Sequence, residues 1–469
     1  MNAFTQTDPL LMTLGRWLSH LARGTSYLQR RGIAAFQLCG CAGLLFAIAL
    51  TASLVLSQGL SLKILAAIIG TAVSTFIFVA LLTKIIVGDE RLVYYHHEIA
   101  VMGSISLLLW ALHQPILPYL DLTLLGVGTF LAFGRIGCLM VGCCHGRPHA
   151  WGVCYSAEHA LAGFDRHFVG VQLFPVQVIE SLSVSVIVAI GSGLILRGSP
   201  PGTALVWFVG AYGVVRFSLE FLRGDLRPYR WGFSEAQWVS LVLMTGISLG
   251  GSFGLLPWYP LHAASTLGLI LAMVGLALRR RLEHGRQYPL FDSNHISEIA
   301  ALLTTSQVDD DKVWLGTTSQ GMKISSSITT RPHETIRHYA LSFPDHSLST
   351  TTAQRLAALV CQLEGHQGSC EMIQGKQGVF HLLLHQTRHA PTSFPAREAR
   401  AHIGPGFAPD LSTVRVYTEA GRAERGRAVN TTHAQSARAS CSAANQALPN
   451  VHDVLCSPGQ PLDGTRRGV

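Results

Sequence analysis

The sequence predicts an all-α polytopic membrane protein, a bundle of seven or eight transmembrane helices followed by a small soluble α/β appendage and a disordered tail. Three observations predict it. Only 13% of the 469 residues are charged, against roughly 25% in a soluble chain. The charges are unevenly spread, with 19 Lys/Arg and 12 Asp/Glu in residues 1–290 and 16 and 15 in the shorter remainder. Apolar runs of about 20 residues, the length that crosses a hydrocarbon core, recur in the first part alone. Lipid leaves no backbone group a water partner, so this many runs at helical length means helices and not a barrel.

Residues 1–32 read as a basic N-terminal segment. The apolar run Pro9–Leu14 is cut short by Arg16 and the stretch to Arg31 stays polar, so no cleavable secretory signal is expected and the first span must act as its own. Eight spans follow, near 33–57, 62–87, 92–113, 119–142, 173–196, 203–222, 237–256 and 259–278, within a membrane domain of residues 33–281. After Arg279, Arg280 and Arg281 the composition changes. The helix-like stretches Ile296–Leu303 and Ala353–Leu363 and the β-like run Val379–Leu384 suggest a soluble α/β appendage over 290–390. Residues 391–469 lack hydrophobic periodicity and read as a disordered tail.

The formal net charge of +8 resides almost entirely in the membrane part, which points to phospholipid headgroups or topology and away from nucleic acid. Arg16, Arg23, Arg30 and Arg31 favour a cytoplasmic N-terminus, and eight spans return the arginine triplet to the same side. Ten cysteines are too few for a disulfide scaffold. Four of them, Cys138, Cys143, Cys144 and Cys154, nevertheless fall within seventeen residues.

Ionisable and polar groups inside apolar helices are expensive and are therefore functional candidates. They are His96, His97 and Glu98 at the head of the third run, Arg135 in the fourth, Gln177 and Glu180 in the fifth, and Tyr212, Arg216 and Glu220 in the sixth. Steps of four residues put Tyr212, Arg216 and Glu220 on one narrow helical stripe. An i, i+4 pair of Arg216 with Glu220 that merely neutralises itself explains their spacing equally well. Arg135 stands in Phe133-Gly134-Arg135-Ile136-Gly137-Cys138, where the glycines admit close approach of a helix or ligand. A fixed guanidinium there suits a phosphodiester headgroup.

The segment from Gly134 through Gly142-Cys143-Cys144-His145-Gly146-Arg147-Pro148 resembles the signature of bacterial prolipoprotein diacylglyceryl transferases. Phe174-Pro175-Val176-Gln177-Val178-Ile179-Glu180 is similar to that family's His-Pro-x-Gln-x-x-Glu. Tyr212-Gly213-Val214-Val215-Arg216-Phe217-Ser218-Leu219-Glu220-Phe221-Leu222-Arg223 resembles its Tyr-Gly-x-x-Arg-Phe-x-x-Glu-Phe-x-Arg, and Ser234-Glu235-Ala236-Gln237 its Ser-x-x-Gln. The resemblance covers about residues 33–257. The chain departs from it at Cys138, where the family has Asn, at Cys143, where it has an acidic residue, and at Tyr94-Tyr95-His96-His97-Glu98, where it has His-Gly-Gly.

The resemblance implies a multi-pass enzyme of the bacterial cytoplasmic (inner) membrane. It would move a diacylglyceryl group from phosphatidylglycerol to the lipobox cysteine in the signal peptide of a prolipoprotein, with no metal or other cofactor. It implies Arg135 and Arg216 as a phosphate clamp and His96 or His97 as base. It also implies a lipid-binding set of Tyr212, Glu220, Gln177, Glu180, Gly134, Gly137 and Gly146. Two other classes stay open. One is a lipid-binding or transport protein that keeps the headgroup site without the chemistry. The other is a metal or thiol-redox site built on the cysteines, against which stand the lack of Cys-x-x-Cys and the adjacency of Cys143 and Cys144, expected to point apart. Small thiols packed between helices are the ordinary expectation for them.

Overall fold

The structure, a computed structural model, describes residues 9–30, 34–87, 94–161, 163–282, 289–306, 313–343, 348–366, 370–375, 378–387 and 415–417. Every apolar run is a helix. After an N-terminal helix α1 (Pro9–Arg30) come α2 (Ala35–Ser57), α3 (Leu62–Val87), α4 (Tyr94–Ala111) and α5 (Ile116–Val141). A folded loop follows, with β1 (Pro148–Cys154), a short α6 (Ala157–Leu161) and β2 (Gln172–Leu173). The bundle is completed by α7 (Val176–Leu196), α8 (Thr203–Leu219), the small hairpin β3 (Tyr229–Arg230) and β4 (Phe233–Ser234), α9 (Glu235–Ser252) and α10 (Pro260–Leu282). Among the described residues six helices, α2, α3, α5, α7, α8 and α10, are long and apolar enough to cross a membrane. The 18-residue α4 and α9 are not among them, so the expected count of seven or eight spans is not reached on length and composition.

The middle helix is α5, which packs on α2, α4, α7 and α8. Its neighbours approach closely where small residues meet. A Cβ on Gly128 would stand 2.4 Å from the Phe208 ring of α8, and one on Gly43 of α2 would stand 2.8 Å from Phe133. On the outside, Ile77, Phe78, Leu81, Ile85 and Ile86 of α3 are exposed, as a lipid-facing helix requires. Asp121 on α5 is buried and accepts hydrogen bonds from Gly202 N (2.6 Å) and Leu205 N (2.7 Å). It thereby satisfies backbone donors that α8 leaves unpaired at its first turn.

The C-terminal region has α11 (Ser293–Thr305), β5 (Val313–Thr317), β6 (Lys323–Thr330), β7 (Glu334–Ser342), α12 (Thr350–Leu363), β8 (Cys370–Gln374), β9 (Phe380–Thr387) and β10 (Arg415–Tyr417). They build one six-stranded sheet in the order β10-β8-β9-β7-β6-β5, antiparallel except for β10 on β8. Alternate residues Ile324, Tyr339, Leu341, Phe380, Leu382 and Leu384 meet Ala353, Leu356, Ala357 and Val360 of α12. Period two on the strands thus faces period 3.6 on the helix. The expected disordered tail lies outside the described residues, except that Arg415–Tyr417 is the edge strand β10.

Two features of the fold have no signature in composition. The basic N-terminal segment is a 22-residue helix with Leu18 and Ala22 buried and Leu10 and Trp17 exposed. The appendage does not stand apart from the bundle. Leu18 and Ala22 of α1, Leu139 of α5 and Val153, Tyr155, Phe164, Phe168 and Leu173 of the folded loop share one apolar core with α11, α12 and the sheet. Composition changes sharply at residue 281, but packing does not.

Candidate functional site

One end of the bundle collects the charged groups. Arg135 lies six residues before the end of α5, Glu180 in the second turn of α7, and Tyr212 and Arg216 in the last turns of α8. Glu220 begins a 3₁₀ turn after α8, and Arg223, Asp225 and Arg227 follow in the connection to β3. Glu180, with no exposed surface, is the hub. Its Oε2 is 2.9 Å from Arg135 Nε and 3.8 Å from Arg223 Nη1, and its Oε1 is 3.9 Å from Arg216 Nε and accepts a 2.9 Å hydrogen bond from Tyr212 OH. Arg216 Nη1 stands 2.9 Å from Glu220 Oε2, whose other oxygen accepts from Arg227 at 2.8 Å. Arg223 donates to Asp225 through Nε (2.9 Å) and Nη2 (3.1 Å). Burial alone would raise the Asp225 carboxyl, yet Arg223 and Arg227 hold it below its usual range. Four guanidiniums therefore face three carboxylates, a surplus suited to an anion.

Arg135 Nε, Arg216 Nη1 and Arg223 Nη1 sit at ion-pair distance but complete no aligned hydrogen bond among the described residues. Beside Arg216 a cleft between α4, α8 and α9 is lined by Tyr95, Glu98, Tyr212, Gly213, Arg216 and Ser240.

Arg135, Glu180, Tyr212, Arg216 and Glu220 are thus brought together, and Gln177 adjoins them differently. Its Nε2 donates to Cys143 O at 2.9 Å and so fixes the loop after α5. Neither histidine is among the residues lining the arginines' cleft. His96 is half exposed and 3.1 Å from Glu235 at the head of α9, while His97 is buried with its ring 4.6 Å from that of Phe76. Gly134 has open space where a Cβ would stand. Gly137 packs on Phe36 and Cys39 of α2, and a Cβ on Gly146 would lie 2.3 Å from Phe174 O. Both are therefore spacers between backbone elements. The Ser234–Gln237 motif is a complete capping box on α9.

Arg223 and Arg227 were not singled out as binding groups by sequence reasoning. Arg223 ends the quoted Tyr212–Arg223 run, which is the signal available for it. Arg227 has none, since a charge in a loop is ordinary.

The expectation for the cysteines also changes. The Sγ atoms of Cys138, Cys143 and Cys144 all lie within 4.8 Å of one another, although adjacent residues were expected to diverge. Gly142 (φ 83°) and Cys144 (φ 58°) both adopt the left-handed conformation, which turns the chain back on the end of α5.

The chain is also similar to known proteins. Residues 30–250 match the family model described as prolipoprotein diacylglyceryl transferase. The phosphatidylglycerol–prolipoprotein diacylglyceryl transferase 2 of Clostridium perfringens is 29% identical over 151 residues, covering 31% of this chain and 56% of that protein. The phosphatidylglycerol–prolipoprotein diacylglyceryl transferase of Clostridium tetani is 30% identical over 143 residues, 30% of this chain and 55% of the relative. The protein of that name in Dehalococcoides mccartyi is 28% identical over 127 residues, 27% and 46%. The chain spans about half the length of the curated relatives it matches. No solved structure matches it.

Proposed function

From the premise that residues 30–250 match the prolipoprotein diacylglyceryl transferase family, we propose that this chain transfers the diacylglyceryl group of phosphatidylglycerol to a prolipoprotein cysteine. The observation that carries the reading is the convergence of Arg135, Arg216, Arg223 and Tyr212 on the buried Glu180. Thiol attack on the diacylglyceryl methylene breaks a carbon–oxygen bond and loads negative charge onto the departing glycerol phosphate. Guanidiniums already fixed in a desolvated site stabilise that charge without reorganising. Glu180, Glu220 and Asp225 hold them in place, and their surplus positive charge welcomes the single negative charge of the phosphodiester. The lipid would reach the network beside Arg216, where a narrow cleft runs between α4, α8 and α9.

The acceptor class follows from the chemistry. Only a thiolate is nucleophilic enough near neutral pH to displace an alkyl phosphate, so a lipobox peptide in its signal sequence is the partner. Bilayers of phosphatidylglycerol with the purified full chain should increase the mass of such a peptide by one diacylglyceryl unit, while a peptide with Ser in place of its Cys should stay unchanged. No adduct from a folded chain would overturn the reading and leave a lipid-binding protein.

In this reading α4 and α9 also cross the bacterial cytoplasmic membrane, giving eight spans. The site end carries Arg16, Arg23, Arg147, Arg166, Arg230 and Arg279–Arg281 besides the paired arginines, whereas the described residues of the opposite end offer only Lys63 and Arg197. The excess of basic residues favours a cytoplasmic site end. Alkaline phosphatase, active only outside the cytoplasm, should be inactive fused after Leu282 and active fused after Gln114. The reverse pattern would overturn this orientation.

A further inference from the structure

Three sulfurs next to the arginine network have no part in the mechanism above. Cys138 is buried at the end of α5, Cys144 is half-buried and Cys143 is exposed, and all three are free thiols. Packing accounts for Cys138, but it does not account for the exposed Cys143. Their geometry is held from outside. Gln177 of α7 donates to Cys143 O at 2.9 Å, Tyr155 donates to Leu139 O at 3.0 Å, and the left-handed backbone at Cys144 folds the loop back toward Cys138. Supports of this kind, outside the ligands themselves, are what orient a metal site.

A metal–sulfur bond of about 2.3 Å sets ligand sulfurs roughly 3.8–4.0 Å apart. The three Sγ atoms lie within 4.8 Å of one another, so small rotamer adjustments close the set. Thiolates select soft or borderline ions such as zinc over magnesium or calcium. Three protein ligands, where a purely structural zinc site has four, leave a coordination position open. Zinc with three thiolates carries one negative charge, and Arg135 and Arg223 are within electrostatic reach of Cys144.

We propose that Cys138, Cys143 and Cys144 form a three-thiolate site for an ion of the zinc class, whose open position on the exposed Cys143 side takes the sulfur of the acceptor cysteine. The metal site stands by itself, and its use of the acceptor rests on the transferase reading. On coordination the acceptor thiol gives its proton to water. The thiolate's electron pair then forms the sulfur–carbon bond to the diacylglyceryl methylene. The carbon–oxygen pair departs with the glycerol phosphate, so no oxidant or reductant is needed.

The test uses the full-length chain in detergent under reductant, loaded with Co²⁺ as a spectroscopic probe. One cobalt per chain should bind, with a thiolate-to-cobalt charge-transfer band and the intense d–d bands of four-coordination. Cys143→Ser and Cys144→Ser should each abolish or strongly weaken the charge-transfer band, and Cys154→Ser should leave it unchanged, with circular dichroism verifying that each variant is folded. Adding a lipobox peptide should shift the d–d bands, and its Cys→Ser counterpart should not. A wild-type chain with all ten thiols reduced and no charge-transfer band overturns the site, and a band that survives Cys143→Ser overturns the ligand set. A spectrum indifferent to the peptide thiol overturns the open position. Lipidation by fully chelated protein would remove the metal's role while keeping the transferase. Zinc-loaded protein that lipidates no peptide in phosphatidylglycerol bilayers would remove the transferase reading and leave the metal site.

Discussion

Replacing Glu180 with Gln is expected to destabilise the protein by about 3–5 kcal/mol, the cost of stranding buried charges when one partner is removed. The substitution is nearly isosteric, so no cavity is made and the loss reports charge alone. Glu180 has no exposed surface and draws Arg135, Arg216 and Arg223 together. Without its charge, four guanidiniums would face two carboxylates, and the three nearest the lost charge are buried. An effect of this size is a large part of the roughly 5–15 kcal/mol that holds a domain folded, and it should appear as a markedly lower thermal midpoint in detergent. Adding Arg135→Ala to Glu180→Gln should give back part of the loss, because it removes one stranded charge and groups in a shared network are not additive. A Glu180→Gln chain with the thermal stability of the wild type would show that the carboxylate is not the hub.

What was legible in the sequence had a one-dimensional signature. A run of 20 apolar residues can be little else than a helix, so all eight runs appear within a few residues of their expected ends. The stripe Tyr212, Arg216 and Glu220 was readable because helical period fixes which residues share a face, although the regular helix stops at Leu219 and Glu220 lies in the 3₁₀ turn beyond it. What was missed depends on the chain returning to itself. Arg227 and Asp225 occupy a connecting loop, where charges carry no burden of burial, and their role arises only because the loop folds over the end of α8. The joint core of α1, the folded loop and the C-terminal sheet gathers residues as distant as Leu18 and Leu359 into one cluster. The convergence of Cys143 with Cys144 depends on a left-handed backbone at a residue that is not glycine, a conformation for which the sequence has no marker. Asp121 was passed over for a related reason. It is an isolated carboxylate in an apolar run, and the partners that explain it, Gly202 N and Leu205 N, lie some eighty residues on.

Arg135→Ala and Arg216→Ala should each lower the rate of peptide lipidation by roughly 30-fold to several thousand-fold, the equivalent of about 2–5 kcal/mol for a desolvated charge contact. Their effect on stability should be small beside that of Glu180→Gln, and this asymmetry separates a binding role from a structural one. Removing one guanidinium leaves three against three carboxylates. Arg135→Ala leaves Glu180 with Arg216, Arg223 and Tyr212, and Arg216→Ala leaves Glu220 with Arg227. The carboxylates stay paired, and what disappears is the surplus positive charge that meets the phosphate. Arg135→Lys should also be slow, because an ammonium is a point charge that cannot hold Glu180 and a phosphate oxygen with separate nitrogens. Initial rates with phosphatidylglycerol bilayers, taken beside thermal midpoints of the same preparations, provide both quantities. If both Arg→Ala variants stay folded and turn over at the wild-type rate, the phosphate is held by other groups. Rates that fall only in step with the thermal midpoints would reduce Arg135 and Arg216 to partners of Glu180.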